Sequence, residues 1–150
     1  MTRNKTLALL TAIGLIGAFC TACGEKHYAD GTYKAQSAEY INDEDDSTAG
    51  NGYGVVELTI SGGVVTACTF HTYELDGTLK DEEYGKENGE IANRDFYNKA
   101  QKANAACEKY AEALVKTGSI KEVDAISGAT VNYNEFVEAV GIALKDAETD

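Results

Sequence analysis

The stretch Tyr53-Gly54-Val55-Val56-Glu57-Leu58-Thr59-Ile60-Ser61, followed by Gly62-Gly63 and then Val64-Val65-Thr66-Ala67-Cys68-Thr69-Phe70-His71-Thr72-Tyr73, decides the fold. Val56, Leu58 and Ile60 alternate with Glu57 and Thr59, and a period of two places the two sets on opposite faces of a strand. The paired glycines suit a two-residue turn that needs positive φ, and the β-branched run Val64-Val65-Thr66 restarts the extended chain. The expected result is an antiparallel hairpin with one apolar face. Such a face has to be covered by something else in the chain.

Upstream, Asp30-Gly31 reads as a turn into a strand over Thr32–Ser37, with Tyr33, Ala35 and Ser37 on one side. Between that strand and the hairpin lies an acidic segment, Asn42 to Gly52, with Asp43, Glu44, Asp45 and Asp46 in one block. Its carboxylates do not fall at the alternating positions of a calcium loop, so it reads as a solvated connection. Downstream, Glu74 to Asn93 is a long polar loop containing Tyr84-Gly85-Lys86. From Asp95 to Thr117, Phe96, Ala100, Ala103, Cys107, Tyr110 and Leu114 recur at steps of four and three, the stripe of an amphipathic helix, with Gly118 as its stop. A short strand is expected at Ile120–Ala125. A final helix follows at about Tyr133–Ala147, burying Phe136, Val137, Val140, Ala143 and Leu144, with Asn132 and Glu135 as a capping pair. Strands first and helices second imply one α+β domain, a small mostly antiparallel sheet with two helices packed on one face.

The amino end has a different character. Arg3 and Lys5 precede the uncharged run Thr6 to Ala22, the pattern of a secretory leader over residues 1–22. Thr21-Ala22-Cys23-Gly24 resembles a bacterial lipobox, although Cys20, after the large Phe19, stands where a leucine is usual three residues before the lipid-bearing cysteine. Cys23 is therefore the expected lipid-bearing first residue, residues 23–29 a tether, and residues 30–150 the domain. Of the 13 basic residues two lie in the leader, whereas all 25 acidic ones follow it, so cleavage deepens the net charge from −12 to −14. A surface of that sign excludes nucleic acid as a partner and keeps the domain off anionic headgroups except where the lipid holds it. Cys68 and Cys107 lie in different elements; they could pair, but burial as free thiols is the commoner outcome for cysteines on apolar faces. No cysteine or histidine spacing suggests a metal site.

The most specific signal is Asp124-Ala125-Ile126-Ser127-Gly128-Ala129-Thr130. Five fixed positions in a chain of this length match by chance on the order of once in several thousand, which argues against a plain strand-to-helix turn capped by Ser127 and Asn132. Ser127, Gly128 and Ala129 are small enough for another molecule to approach the backbone, and Gly128 can bend with positive φ. Thr130 ends the motif with a hydroxyl beside a helix start, where free N–H groups and the positive end of the dipole favour an anion. A threonine hydroxyl needs a base and an activated donor to react, and the sequence offers neither nearby; His27 and His71 are remote. Thr130 is thus the expected substrate of another enzyme.

From Asp30-Gly31-Thr32-Tyr33 through the glycine-turn hairpin to Asp124–Thr130 and its helix, the chain resembles an FMN-binding domain. Such domains occur in subunits of sodium-pumping NADH:quinone reductase and Rnf complexes and in flavinylated lipoproteins of the membrane-immunogen group, to which the size, lipobox and Tyr84-Gly85-Lys86 loop are most similar. The resemblance implies FMN bound covalently through a phosphoester to Thr130, with Asp124, Ser127, Gly128 and Ala129 forming the recognition loop. It implies an external flavin transferase that uses FAD and magnesium. It also implies an extracytoplasmic, lipid-anchored electron carrier that takes electrons from a membrane reductase and passes them to an unidentified acceptor. Tyr84 and Lys86 are candidates for contacting the flavin ring. No catalytic residue is expected, since the sequence has no nucleotide-binding glycine fingerprint and no acid–base pair. The alternative is a surface lipoprotein or antigen that uses the same fold as a binding module without a covalent cofactor.

Overall fold

A computed structural model describes residues 26–43 and 50–149. The leader, the lipobox with Cys23, and Glu44, Asp45 and Asp46 of the acidic block lie outside the described residues. In chain order the elements are β1 (His27–Tyr28), β2 (Gly31–Gln36), β3 (Tyr53–Ser61), β4 (Val64–Tyr73), α1 (Arg94–Thr117), a 3-10 turn (Ile120–Glu122), α2 (Thr130–Ala147) and β5 (Glu148–Thr149). The hairpin has the expected bounds. Gly62 and Gly63 take φ of 61° and 77°, the double left-handed conformation of a tight hairpin turn.

β2, β3 and β4 form an antiparallel sheet in that order, so β4 is an edge. Ala35, Val56, Leu58, Ile60, Phe70 and Thr72 are buried on its inner face. The pairing jumps from Thr59↔Ala67 to Ile60↔Val65, which leaves Thr66 as the extra residue of a bulge. That insertion reverses the alternation along β4 and brings Val65 to the inner face beside Ile60. α1 lies against β4 and α2 against β2 and β3, so both helices cover one face. Phe136 of α2 sits at the centre, 5.0 Å from the Phe70 ring and 5.7 Å from the Tyr110 ring.

The helix stripes follow the sequence with small shifts. In α1, Ala100, Cys107, Tyr110 and Leu114 are buried and Phe96 and Ala103 half-buried, while Gly118 at φ 71° closes the helix by donating its N–H to the Leu114 carbonyl. In α2 the buried line is Glu135, Phe136, Ala139, Val140, Ala143 and Ala147; Val137 is only half-buried, Ala139 completing the stripe.

Two expectations are corrected. Ile120–Ala125 is not a strand: the Ser119 hydroxyl accepts from the Lys121 N–H and the Val123 N–H reaches back to the Ile120 carbonyl, so local hydrogen bonds close a 3-10 turn instead of joining the sheet. α2 starts at Thr130 rather than Tyr133, and its N-cap is Ala129, which has no capping side chain. Asn132 and Glu135 are therefore helical residues whose side chains are used elsewhere. A two-stranded ribbon of β1 and β5 joins the ends of the domain, reinforced by a 2.8 Å Lys26–Glu148 ion pair. Among the described residues no helix is long and apolar enough to cross a membrane.

Candidate functional site

The motif segment forms no regular structure until Thr130, yet it is fixed by tyrosine hydroxyls at two points. Tyr110, at 1% exposure, accepts the Ile126 N–H at 3.0 Å and donates to the Ala129 carbonyl at 3.2 Å. Tyr133 donates to the Val123 carbonyl at 2.9 Å. The Ala129 N–H returns to the Ile126 carbonyl, and Gly128 at φ 83° makes the bend. Hydroxyls that pair backbone groups lacking ladder partners hold an irregular segment in place. The clamp leaves Asp124, Ser127, Gly128 and Thr130 exposed and buries Ala129. Thr130 is the first residue of α2, whose first turn has neither a side-chain cap nor an acidic residue. The N–H groups there keep their capacity for an anion.

Thr130 stands on the rim of a groove of about 510 Å³ that also takes in Gly128, Ala129, Val131 and Asn132. Tyr84, Phe96, Ala100 and Ala103 give it an apolar wall, and Lys80 and Lys99 give it positive charge. Lys102 adds a third cation, its Nζ 3.5 Å from the position a Cβ on Gly128 would take. No carboxylate lines the groove among the described residues, although the chain carries a net charge of −12. An apolar wall beside clustered cations suits a planar ring attached to an anion.

Two of the lining residues, Tyr84 and Lys80, are held by several contacts. Tyr84 accepts the Gly50 N–H at 3.1 Å on its hydroxyl, packs edge-on to Phe96 at 6.0 Å between centroids, and gives its carbonyl to the Gln101 amide. Burial raises its phenol above the ordinary range. Lys80 is 7% exposed; its ammonium donates to the Gly50 carbonyl at 3.1 Å and lies 5.2 Å from the Tyr84 ring centroid. Burial pulls the Lys80 pKa down, with Glu135 and Glu74 pushing against it. Glu135 is 4% exposed and neither carboxylate oxygen has a hydrogen-bond partner among the described residues. Burial pushes it up to about 7, opposed by the charge of Lys80.

Of the sequence candidates, Thr130, Ser127, Gly128, Ala129 and Tyr84 come together around this bend and groove, with Asp124 at the entry to the bend. Lys86 does not join them. It pairs with Glu83 at 2.6 Å, lies 5.9 Å from the Tyr97 ring centroid, and borders a separate cleft beyond Tyr84 and Phe96. Asn132, expected as a cap, donates instead to the Ala103 carbonyl and to the Cys107 sulfur, both at 3.3 Å. Cys68 and Cys107 are free; burial pushes the Cys68 thiol up to about 12 and raises Cys107 as well, Asn132 pulling the latter back. Sequence reasoning missed Lys80, Lys99, Lys102 and Glu135. A signal existed for Glu135, a carboxylate one turn before Ala139 on an otherwise apolar stripe; none existed for Lys80, which tertiary packing alone brings to the groove.

A sequence model of an FMN-binding domain matches residues 50–145. Among solved structures, a crystal structure of a Clostridium perfringens protein aligns with a TM-score of 0.56 at 20% identity, covering 80% of this chain and 88% of that one. A solution structure from Clostridium thermocellum covers 80% and 92% at 23% identity, with a TM-score of 0.39. The first supports the fold alone. No curated protein matches.

Proposed function

The chain belongs to the FMN-binding domain family and is a flavoprotein with FMN as its cofactor, and from that premise we propose that it carries FMN covalently on Thr130 as a lipid-anchored, extracytoplasmic electron carrier. The observation that supports this most is the exposed Thr130 hydroxyl beside a groove of lysines and aromatic rings in an otherwise acidic chain. The residues present fit the cofactor: Tyr84, Phe96 and the small side chains of α1 offer a face for the ring, and Lys80, Lys99, Lys102 and the open first turn of α2 offer positive potential for the phosphate. FMN supplies the redox chemistry; the protein's part is to hold it, set its surroundings and leave an edge accessible.

In this reading Thr130 Oγ1 becomes the bridging oxygen of a phosphodiester, and its proton leaves to a base. The charged side chains lining the groove are ammonium groups, which do not take that proton. A flavin transferase with its own base does so, with FAD as donor: the FAD pyrophosphate bond breaks and AMP leaves as the Thr130 oxygen–phosphorus bond forms, and the exposed, clamped bend from Ser127 to Thr130 presents the hydroxyl to it. A membrane reductase then serves as electron donor, and the acceptor is unassigned. Cys23 holds the lipid, so the domain works outside the cytoplasmic membrane.

The test is intact-mass measurement after export alongside a flavin transferase. The expected result is a gain equal to FMN less water, mapped to Thr130, absent in Thr130→Ala and partial in Thr130→Ser. An unmodified Thr130 with an active transferase present would reject the proposal and favour a binding module that holds FMN without a bond. Cys23→Ala releasing the protein from the membrane fraction would test the anchor separately.

A further inference from the structure

Lys80, in the lining of the groove, and Glu135, outside that lining, are buried opposite charges, and the bend with its threonine does not explain them. Neither is on the motif, each is more than nine-tenths buried, and they do not form a hydrogen-bonded ion pair. Lys80 spends its visible hydrogen bond on the Gly50 carbonyl, leaving further donors for a ligand. Among the described residues neither Glu135 oxygen has a hydrogen-bond partner. A buried carboxylate without hydrogen bonds is costly in its charged form, so a structure that retains one next to a lining cation carries a proton-binding site that responds to that cation.

Resting on the reading that this groove takes FMN, we infer that Lys80 is the residue that receives an anionic group of the bound molecule and that Glu135 takes up a proton from solvent when it does. The charge balance is simple. Without ligand, the Lys80 ammonium favours the carboxylate form of Glu135. When an anion engages that ammonium, Glu135 loses its compensation and gains a like charge nearby; one proton from solvent then restores neutrality.

The other groups around Glu135 do not substitute for this response. From the loop after β4 come Lys80 and Tyr84, with Glu74 acting on both. From α1 comes Cys107, whose thiol is already pushed up by burial. β3 and β4 bring no titratable group there among the described residues: a Cβ on Gly54 would stand 2.9 Å from the Glu135 Cβ, and Thr72, paired with Gly54, is buried with an unpartnered hydroxyl. On α2 itself Glu138 is exposed and accepts the Ala38 N–H. Glu135 is consequently the group that titrates as the charge of Lys80 is used.

The experiment follows the Glu135 carboxyl carbon by NMR in full-length protein labelled at glutamate, identified by the resonance that Glu135→Gln removes. In the unmodified protein it should titrate near pH 7. Free FMN added to the Thr130→Ala protein should raise its midpoint by about one pH unit or more, and Lys80→Met should weaken that FMN binding about tenfold or more while Lys80→Arg retains most of it. Riboflavin, which lacks the phosphate, should leave the midpoint unchanged. Titration in the ordinary carboxylate range, FMN binding with no shift, an equal shift with riboflavin, or full affinity in Lys80→Met would each overturn the inference. FMN binding without movement of Glu135 leaves covalent attachment standing. A shift without any mass gain on Thr130 rejects attachment and leaves the pair standing, and no FMN binding in either form removes both.

Discussion

At the level of single residues, Tyr110 and Glu135 carry opposite burdens. The Tyr110 ring lies inside the core against Phe136 while its hydroxyl satisfies two backbone groups of the motif. Tyr110→Phe keeps the ring and strands the Ile126 N–H and the Ala129 carbonyl, so urea unfolding should show a loss of about 1–3 kcal/mol. The loosened bend should also be modified more slowly by a flavin transferase. Glu135 destabilises the fold when charged. Its folded pKa of about 7 lies above the 4.5 of an unperturbed glutamate, so the folded state holds the proton more tightly between those values. Stability from this group is full below the lower value and is lost as pH rises through the upper one. The full loss across that window is on the order of 3 kcal/mol, and denaturation midpoints for Glu135→Gln should lack that slope. Cys68 is half-buried with its thiol pushed up to about 12, so it should react with a thiol-directed reagent at pH 8 more slowly in the folded than in the unfolded protein.

At the level of elements, close approach between β3 and α2 makes one position intolerant. A Cβ on Gly54 would come within 2.6 Å of the Phe70 ring and 2.9 Å of the Glu135 Cβ. Gly54→Ala should therefore cost about 1–3 kcal/mol by displacing packed groups, with a lowered thermal midpoint and a disturbed Glu135 titration as its readouts. The hairpin and both helices could be read from the sequence because period two and steps of three and four are local signals, and Gly62-Gly63 and Gly118 mark their ends. Ile120–Ala125 was misread because apolar residues in so short a run do not distinguish a strand from a 3-10 turn closed by Ser119. The start of α2 was placed too late because Asn132 resembles a cap, whereas tertiary packing sends its amide to Cys107. The bend of the motif and Tyr84, which meet around one groove, were both singled out in the sequence. Lys80 was not, since its place in the groove depends on the loop after β4 folding back onto the Gly50 carbonyl.

At the level of the whole molecule, charge is distributed unevenly. A chain of net charge −12 collects Lys80, Lys99 and Lys102 around one groove, so in the proposed attachment a negatively charged flavin donor would meet local attraction inside a repulsive field. Lys99 and Lys102 are exposed, and their share of this attraction is open to screening. The double variant Lys99→Glu, Lys102→Glu should slow modification of Thr130 several-fold at low ionic strength, with the deficit narrowing as salt is raised and the fold unchanged by circular dichroism.

The ribbon of His27–Tyr28 with Glu148–Thr149 fixes where the chain enters the domain. It sits at the carboxyl end of α2, and Thr130 sits at the other end of the same 18-residue helix, roughly 25 Å away at the usual rise per residue. A rigid rod thus separates the hitching point from the loading point. In the proposed anchored form, a pull passed through His27 would therefore be applied at the pole opposite the threonine.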